Sequence, residues 1–215
     1  AKEKEKGRWV PPNQQRILFE GTLDEAMDFY QKTEMIPPPV NAPIAIYTDG
    51  FPIVVPTEER VREMLTGTSH KPDEVIALQI DREAQSAEPT VLGRSNRKSI
   101  TKPKGEPVLF SPNSWTATVE KVATIAVMAG CKPEHLPTVL AIAESGCPIS
   151  TTHNLGQAVC VSGPVVKELG MNVGCGMFGP GNPANSTIGR TFQLMARNLG
   201  GAIPGINRMA CLNSP

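Results

Sequence analysis

Chain-breaking residues recur so often in this sequence that few elements can run far before meeting one: 19 glycines and 21 prolines stand among 215 residues. Glycine loses the most backbone entropy on folding, and proline lacks the N–H that a helix interior or a central strand needs. Long helices are therefore not expected, and loops must be abundant. The length suits one large domain, or one domain with a long irregular arm. Apolar residues make up 40%, somewhat below the usual globular share of about 45–50% with glycine counted.

Between the breakers, short elements can be read in order. Residues 1–21 form an arm in which Lys and Glu alternate before Pro11-Pro12-Asn13 forbids regular structure. Thr22 and Glu25 have capping-box spacing, and Leu23, Met27 and Tyr30 share one face of the helix that follows. Pro37-Pro38-Pro39 ends it and favours an extended polyproline path. Ala42 to Val55 is β-like, with Ile44, Ile46, Ile53, Val54 and Val55 flanking the turn Thr48-Asp49-Gly50. Asp49-Gly50 reads first as turn chemistry. Thr57 caps a helix through Val61, Met64 and Leu65, stopped at Gly67. Pro72 opens an element carrying Val75, Ile76 and Leu78. Residues 81–107 are polar and locally basic through Arg94, Arg97, Lys98, Lys102 and Lys104, and read as a surface loop or linker, or else as a contact for an anionic substrate or acidic partner.

The second half is more regular. Thr116 to Ala129 is a helix with Val119, Val122, Ala126 and Ala129 on one stripe and Gly130 at its end. Pro133 opens a second helix, Glu134 to Ser145, with Leu136, Val139, Leu140 and Ala143 inside, so the two make an αα-hairpin. Gln157 to Ser162 reads as a short apolar strand, and Val165 to Leu169 as a short helix after Gly163-Pro164. Ser186 can cap a last helix, Thr187 to Leu199, with Ile188, Phe192, Met195 and Leu199 facing the core. The expected fold is α/β: layered helices and short strands with long Gly/Pro-rich loops and an extended N-terminal arm. The expected division is an arm with a short helix over 1–41 and an α/β domain over 42–215.

Several function classes are disfavoured. A formal net charge of zero argues against a general nucleic-acid partner. No apolar run reaches the ~18 residues of a spanning helix, so no membrane partner is expected. The charged start Ala1-Lys2-Glu3-Lys4-Glu5-Lys6 is no secretory signal. Cysteines at 131, 147, 160, 175 and 211 are odd in number and contain no C-x-x-C pair, which points to a reducing, cytoplasmic compartment and excludes a thioredoxin dithiol or zinc ribbon.

The most function-like segment is the Gly/Asn-rich loop from Met171 to Arg190. Its glycines let backbone amides approach a ligand, and it feeds a helix N-terminus, where unpaired amides and the dipole favour an anion. Asn172, Gly181, Asn182, Asn185, Ser186 and Thr187 would bind a small anionic molecule there, with Arg190 one turn into the helix. Gly174, Gly176 and Gly179 satisfy G-x-G-x-x-G, but no strand precedes the match and Pro180 follows it, so no dinucleotide is implied. The alternative is a purely structural Gly/Pro crossing. Cys175 sits inside this loop, open to a ligand. Cys131, next to the Pro133 helix and Lys132, would have its thiolate favoured by that helix N-terminus. Cys160 reads as inert core, Cys147 and Cys211 as loop residues, and His70 and His135 as surface positions. His153 precedes the expected strand and suits a general base. With neighbouring cysteines His153 could also hold a metal, but the spacings match no ligand pattern, so no metal is assigned and no cofactor is identified. Glu120 and Lys121 point in different directions from their helix, and one of them meets the edge of the core.

Three stretches carry a family resemblance: Thr48 through Val61; Ala117 through Ala123 with Val127 through Glu134; and, most distinctive, Gly179-Pro180-Gly181-Asn182-Pro183-Ala184-Asn185-Ser186-Thr187-Ile188-Gly189-Arg190. Together they resemble a poorly characterised bacterial family associated with a U-G-S-C selenoprotein motif and loosely labelled thioredoxin-like. The resemblance spans roughly residues 45–210. This chain has no U-G-S-C, and Ser145-Gly146-Cys147 is a partial echo. Chains of that family continue past the region matching Leu212-Asn213-Ser214-Pro215, which implies that a second polypeptide completes the fold. The resulting expectation is a subunit of a hetero-oligomeric enzyme of lyase or hydrolase type. In it Cys175 or Cys131 is the nucleophile, and His153 or Glu120 handles protons. A His/Cys metal enzyme subunit and a non-catalytic structural subunit are the alternatives.

Overall fold

The computed structural model describes residues 19–86, 98–146 and 158–208. Helix α1, Leu23–Tyr30, starts at the expected capping box: the Glu25 N–H donates to the Thr22 hydroxyl at 3.3 Å, and the Thr22 N–H donates to the Glu25 carboxylate at 2.8 Å. Each bond satisfies a donor that the helix end cannot pair internally. Strand β1, Thr33–Ile36, then pairs antiparallel with β2, Ala42–Ala45, in the register Thr33↔Ala45 to Ile36↔Ala42. The three prolines therefore lie in a hairpin turn, not on an extended polyproline path. Asn41, at φ 49°, closes the turn by donating its N–H to the Pro37 carbonyl. The expected boundary between residues 41 and 42 falls inside this hairpin.

Beyond Ala45 the β-like stretch makes no further strand. Ile53 and Val55 are buried while Val54 is exposed, so the period of two is real. Its neighbour, however, is a helix end: the Val54 N–H donates to the Met128 carbonyl. Helix α2, Glu58–Leu65, is capped by the Thr57 hydroxyl and buries Val61 and Met64. The Pro72 element is an extended segment joined by single bridges, Val75↔Thr118 and Ala77↔Pro107. The region read as a polar loop holds a hairpin, β3 Arg82–Ser86 with β4 Lys98–Lys102. Alternation there was hidden because neither strand carries an apolar face.

Helix α3, Val119–Ala129, is the centre of the molecule, with eight of its eleven residues buried. Gly130 ends it in the left-handed conformation at φ 84°, which a side chain would disfavour. A 3₁₀ turn, Pro133–His135, leads into α4, Leu136–Glu144. Helix α5, Pro164–Glu168, and helix α6, Pro183–Gly200, complete the described elements. Helix α3 packs against α2, α4 and α6, and α4 packs against α6. Among the described residues the fold is mixed, with a helix-on-helix core and two two-stranded sheets. The first sheet contributes only Ile36 to the buried apolar set.

Three expectations are corrected. Residues 158–162 form no strand and Cys160 is exposed, and among the described residues no strand lies beside them to pair with. His135 is 5% exposed, buried beneath the start of α6. Helix α6 begins at Pro183 with Asn182 as N-cap, so Asn185, Ser186 and Thr187 lie inside its first turn and a half. At 18 residues α6 is also longer than the breaker content suggested. Buried Ile188, Thr191, Phe192, Leu194, Met195 and Leu199 outweigh the cost of Gly189, about 1 kcal/mol.

Gly200 shows why a glycine can be required inside a helix. A Cβ there would overlap the Ser111 carbonyl oxygen, a backbone atom that cannot swing aside. Gly200→Ala is expected to lower stability by about 1–3 kcal/mol, the usual cost of overpacking. Gly189→Ala, whose Cβ meets open space, should be neutral or stabilising. Thermal and denaturant unfolding of the two variants reads the difference.

Candidate functional site

The glycine loop is exposed and braced from within. Asn172 donates its side-chain amide to the Cys175 carbonyl and to Asn182 Oδ1, at 3.0 and 2.8 Å. Asn182 donates to the carbonyls of Gly176 and Gly179, and Asn185 to those of Asn172 and Met177. The N–H groups of Asn172 and Gly174 are themselves taken by Asn185 Oδ1 and Asn172 Oδ1. Gly176 and Gly181 adopt φ of 72° and 88°, where a Cβ would be strained. The three asparagines expected to greet a ligand are therefore turned onto the loop's own backbone. What the loop shows to solvent is Cys175 together with Val173, Met177 and Phe178, the last 83% exposed. Gly181 and Ser186 are exposed at the mouth of α6.

Arg190 is likewise engaged. Its Nε and Nη2 donate to the two carboxylate oxygens of Asp49, each at 2.8 Å, and Nη2 also reaches the Phe51 carbonyl. Asp49 is thus more than a turn residue: its side chain is 9% exposed and it ties the turn to α6. Burial resists ionisation of Asp49, but the Arg190 hydrogen bonds and charge prevail and hold its carboxyl below the usual range.

Under the start of α6, Cys131, His135 and Thr187 come together. The Thr187 hydroxyl donates to the Pro183 carbonyl and stands 3.5 Å from His135 Nδ1, which accepts the Lys132 N–H. Burial pushes the Cys131 thiol up to about 11, against the opposing effect of a Thr187 hydrogen bond. Desolvation thus works against the thiolate expected from the short Pro133 turn. Burial also lowers His135, against the opposing charge of Glu134 and with Lys132 adding to the lowering. His153, Cys147 and Cys211 lie outside the described residues. Among the described residues no three His, Cys, Asp or Glu side chains gather as a metal site.

A ligand-sized concavity lies elsewhere, between α1, α2, α3, α6 and the segment 46–47. It has a volume of about 740 Å³, within the size range of organic-ligand sites. Tyr30, Tyr47 and Trp115 supply aromatic surface, Val61, Ile125 and Met128 aliphatic surface. Glu120 and Lys121, singled out in the sequence, both line it. So does Arg197, which the sequence did not reveal. Arg197 Nη1 donates to the Ala45 carbonyl, and Asn198 beside it donates to the Tyr47 carbonyl at 2.9 Å. Among the described residues Arg197 has no carboxylate within ion-pair distance. Burial, with the Arg208 charge adding to it, pulls the guanidinium below its ordinary value, while Asp49 opposes. The only local hint was that Arg197 flanks the apolar stripe of α6.

Comparison with protein-family models, curated proteins and solved structures found no match. No described helix is long and apolar enough to cross a membrane.

Two outcomes follow from this geometry. Asp49→Asn should destabilise the protein at neutral pH by on the order of 3 kcal/mol, since it strands a guanidinium that is only 22% exposed. Because the Asp49 pKa is lowered on folding, its contribution is full above the unfolded value of about 4 and disappears as pH falls through the folded one. Denaturant titrations should therefore show wild type and Asp49→Asn converging below about pH 4. Separately, iodoacetamide at about pH 8 should modify Cys160 and Cys175 in the native protein and Cys131 only after unfolding, as read by peptide mass mapping. Native labelling of Cys131 at the rate of Cys175 would contradict its burial.

Proposed function

We propose that this chain binds a small organic anion in the interhelical cavity, not on the glycine loop, and acts on it by lyase- or hydrolase-type chemistry. The observation carrying this reading is Arg197: a partly buried guanidinium on the wall of a ligand-sized cavity, with one carbonyl acceptor and no carboxylate partner among the described residues. A guanidinium offers five N–H donors, and burying its charge without a counter-ion is unfavourable. A ligand carboxylate supplies that counter-ion in bidentate geometry.

Glu120 is the proton acceptor in this reading, with Lys121 next to it. Both stand in the first turn of α3 on the cavity wall. A carboxylate on the cavity wall stands where it can take a proton from a bound ligand. Cys131, partly buried and with its thiol pushed up by desolvation, takes no nucleophilic part. The glycine loop serves as scaffold: its asparagines seat the start of α6, and α6 presents Arg197.

Binding of a panel of carboxylates, followed by thermal shift and calorimetry, tests this reading. Arg197→Met should weaken any carboxylate that binds by about tenfold or more, and Arg197→Lys by less. Glu120→Gln should leave binding within about twofold while abolishing turnover. Unchanged affinity in Arg197→Met would sink the assignment.

A further inference from the structure

Resting on the cavity reading, we infer that the site is built for a planar aromatic carboxylic acid, its carboxylate on Arg197 and its ring against Tyr47, Tyr30 and Trp115. The anchor and the aromatic wall are adjacent by construction. Arg197 holds the Ala45 carbonyl and Asn198 holds the Tyr47 carbonyl, so the guanidinium lies beside the residue pair that carries the Tyr47 ring. The rings are fixed. Phe29 stacks against Tyr47 with centroids 5.1 Å apart, and Tyr30 meets Tyr47 edge-on at 6.1 Å and 78°. Trp115 is backed by Gly201, where a Cβ would lie 3.0 Å from the indole. Stiff aromatic walls favour a flat partner, because they lose little side-chain freedom on contact and gain offset or edge-on ring packing.

Charge narrows the class further. Among the described residues the lining carries three cations, Arg62, Lys121 and Arg197, and three carboxylates, Glu58, Asp73 and Glu120, so its formal charge is 3 − 3 = 0. A phosphate or polyphosphate would meet no net positive field, whereas a monoanion needs only the one guanidinium. The volume of about 740 Å³ is far more than a two-carbon acid fills.

Calorimetry of the whole chain with 2-naphthoate, octanoate, 2-naphthyl phosphate and the neutral 2-naphthalenemethanol tests the class on the wild-type protein, with no dependence on any variant's folding. Naphthoate should bind about tenfold or more tighter than each of the other three. A second arm uses Trp9→Phe protein, in which Trp115 is the remaining tryptophan: naphthoate should change its emission with the same affinity, and octanoate should not. Equal affinity for octanoate, or tighter binding of the phosphate, overturns the aromatic-acid class while the Arg197 site survives through its own variant. If no carboxylate binds below about millimolar and Arg197→Met changes nothing, both inferences fall together.

Discussion

The architecture depends on how α6 is stitched to the segment 45–51. Three side chains of one helix, Arg190, Arg197 and Asn198, reach the Asp49 carboxylate and the carbonyls of Ala45 and Tyr47. The contacts run antiparallel to the helix, much as a strand partner would. They satisfy the carbonyl of Ala45 at the end of β2 and that of Tyr47 just past it, and beyond Ala45 the β-like stretch pairs with no further strand among the described residues. The segment pairs with side chains instead of with another strand. Its buried residues, Ile53 and Val55, then settle on the end of α3.

That stitch also makes the cavity. With Tyr47 held against α6, and α1 stacked behind it through Phe29 and Tyr30, an aromatic wall stands opposite α2 and α3. At the other end of α6, the Asn172–Asn182–Asn185 network performs the task that sheet pairing performs in more regular folds. It converts a glycine-rich bend, costly in entropy, into a single conformation. The same asparagines cannot then serve a ligand without dismantling the bend.

Much of the local structure was legible. The Thr22–Glu25 box, the Thr57 cap, Gly130 as a left-handed stop and the stripe of α3 all stand where the residues place them. Two failures are instructive. The β3–β4 hairpin escapes sequence reading because only Ala84 and Ile100 of its ten residues are apolar, too few to mark a periodicity. Gln157 to Ser162 reads as a strand on apolar content alone, and its described residues, 158–162, form none, since apolar content without a partner makes no sheet. Glu120 and Lys121 were noticed for their position at a helix edge, and they do line the cavity. Arg190 was noticed for its charge near a glycine loop, and Asp49 claims it.

The sequence by itself determined the caps, the stops and the apolar faces, because each depends on residues within about one helical turn or one strand pair of each other. Only the tertiary structure decided which polar groups are spent and which remain to meet a ligand. Asp49 and Arg190 are 141 residues apart, and Ala45 and Arg197 are 152 apart. No spacing rule spans such distances. The pairing is set by how α6 lies across the chain, and that follows from burial of its apolar stripe against α3 and α4, a force without direction that leaves the polar contacts to be settled by geometry.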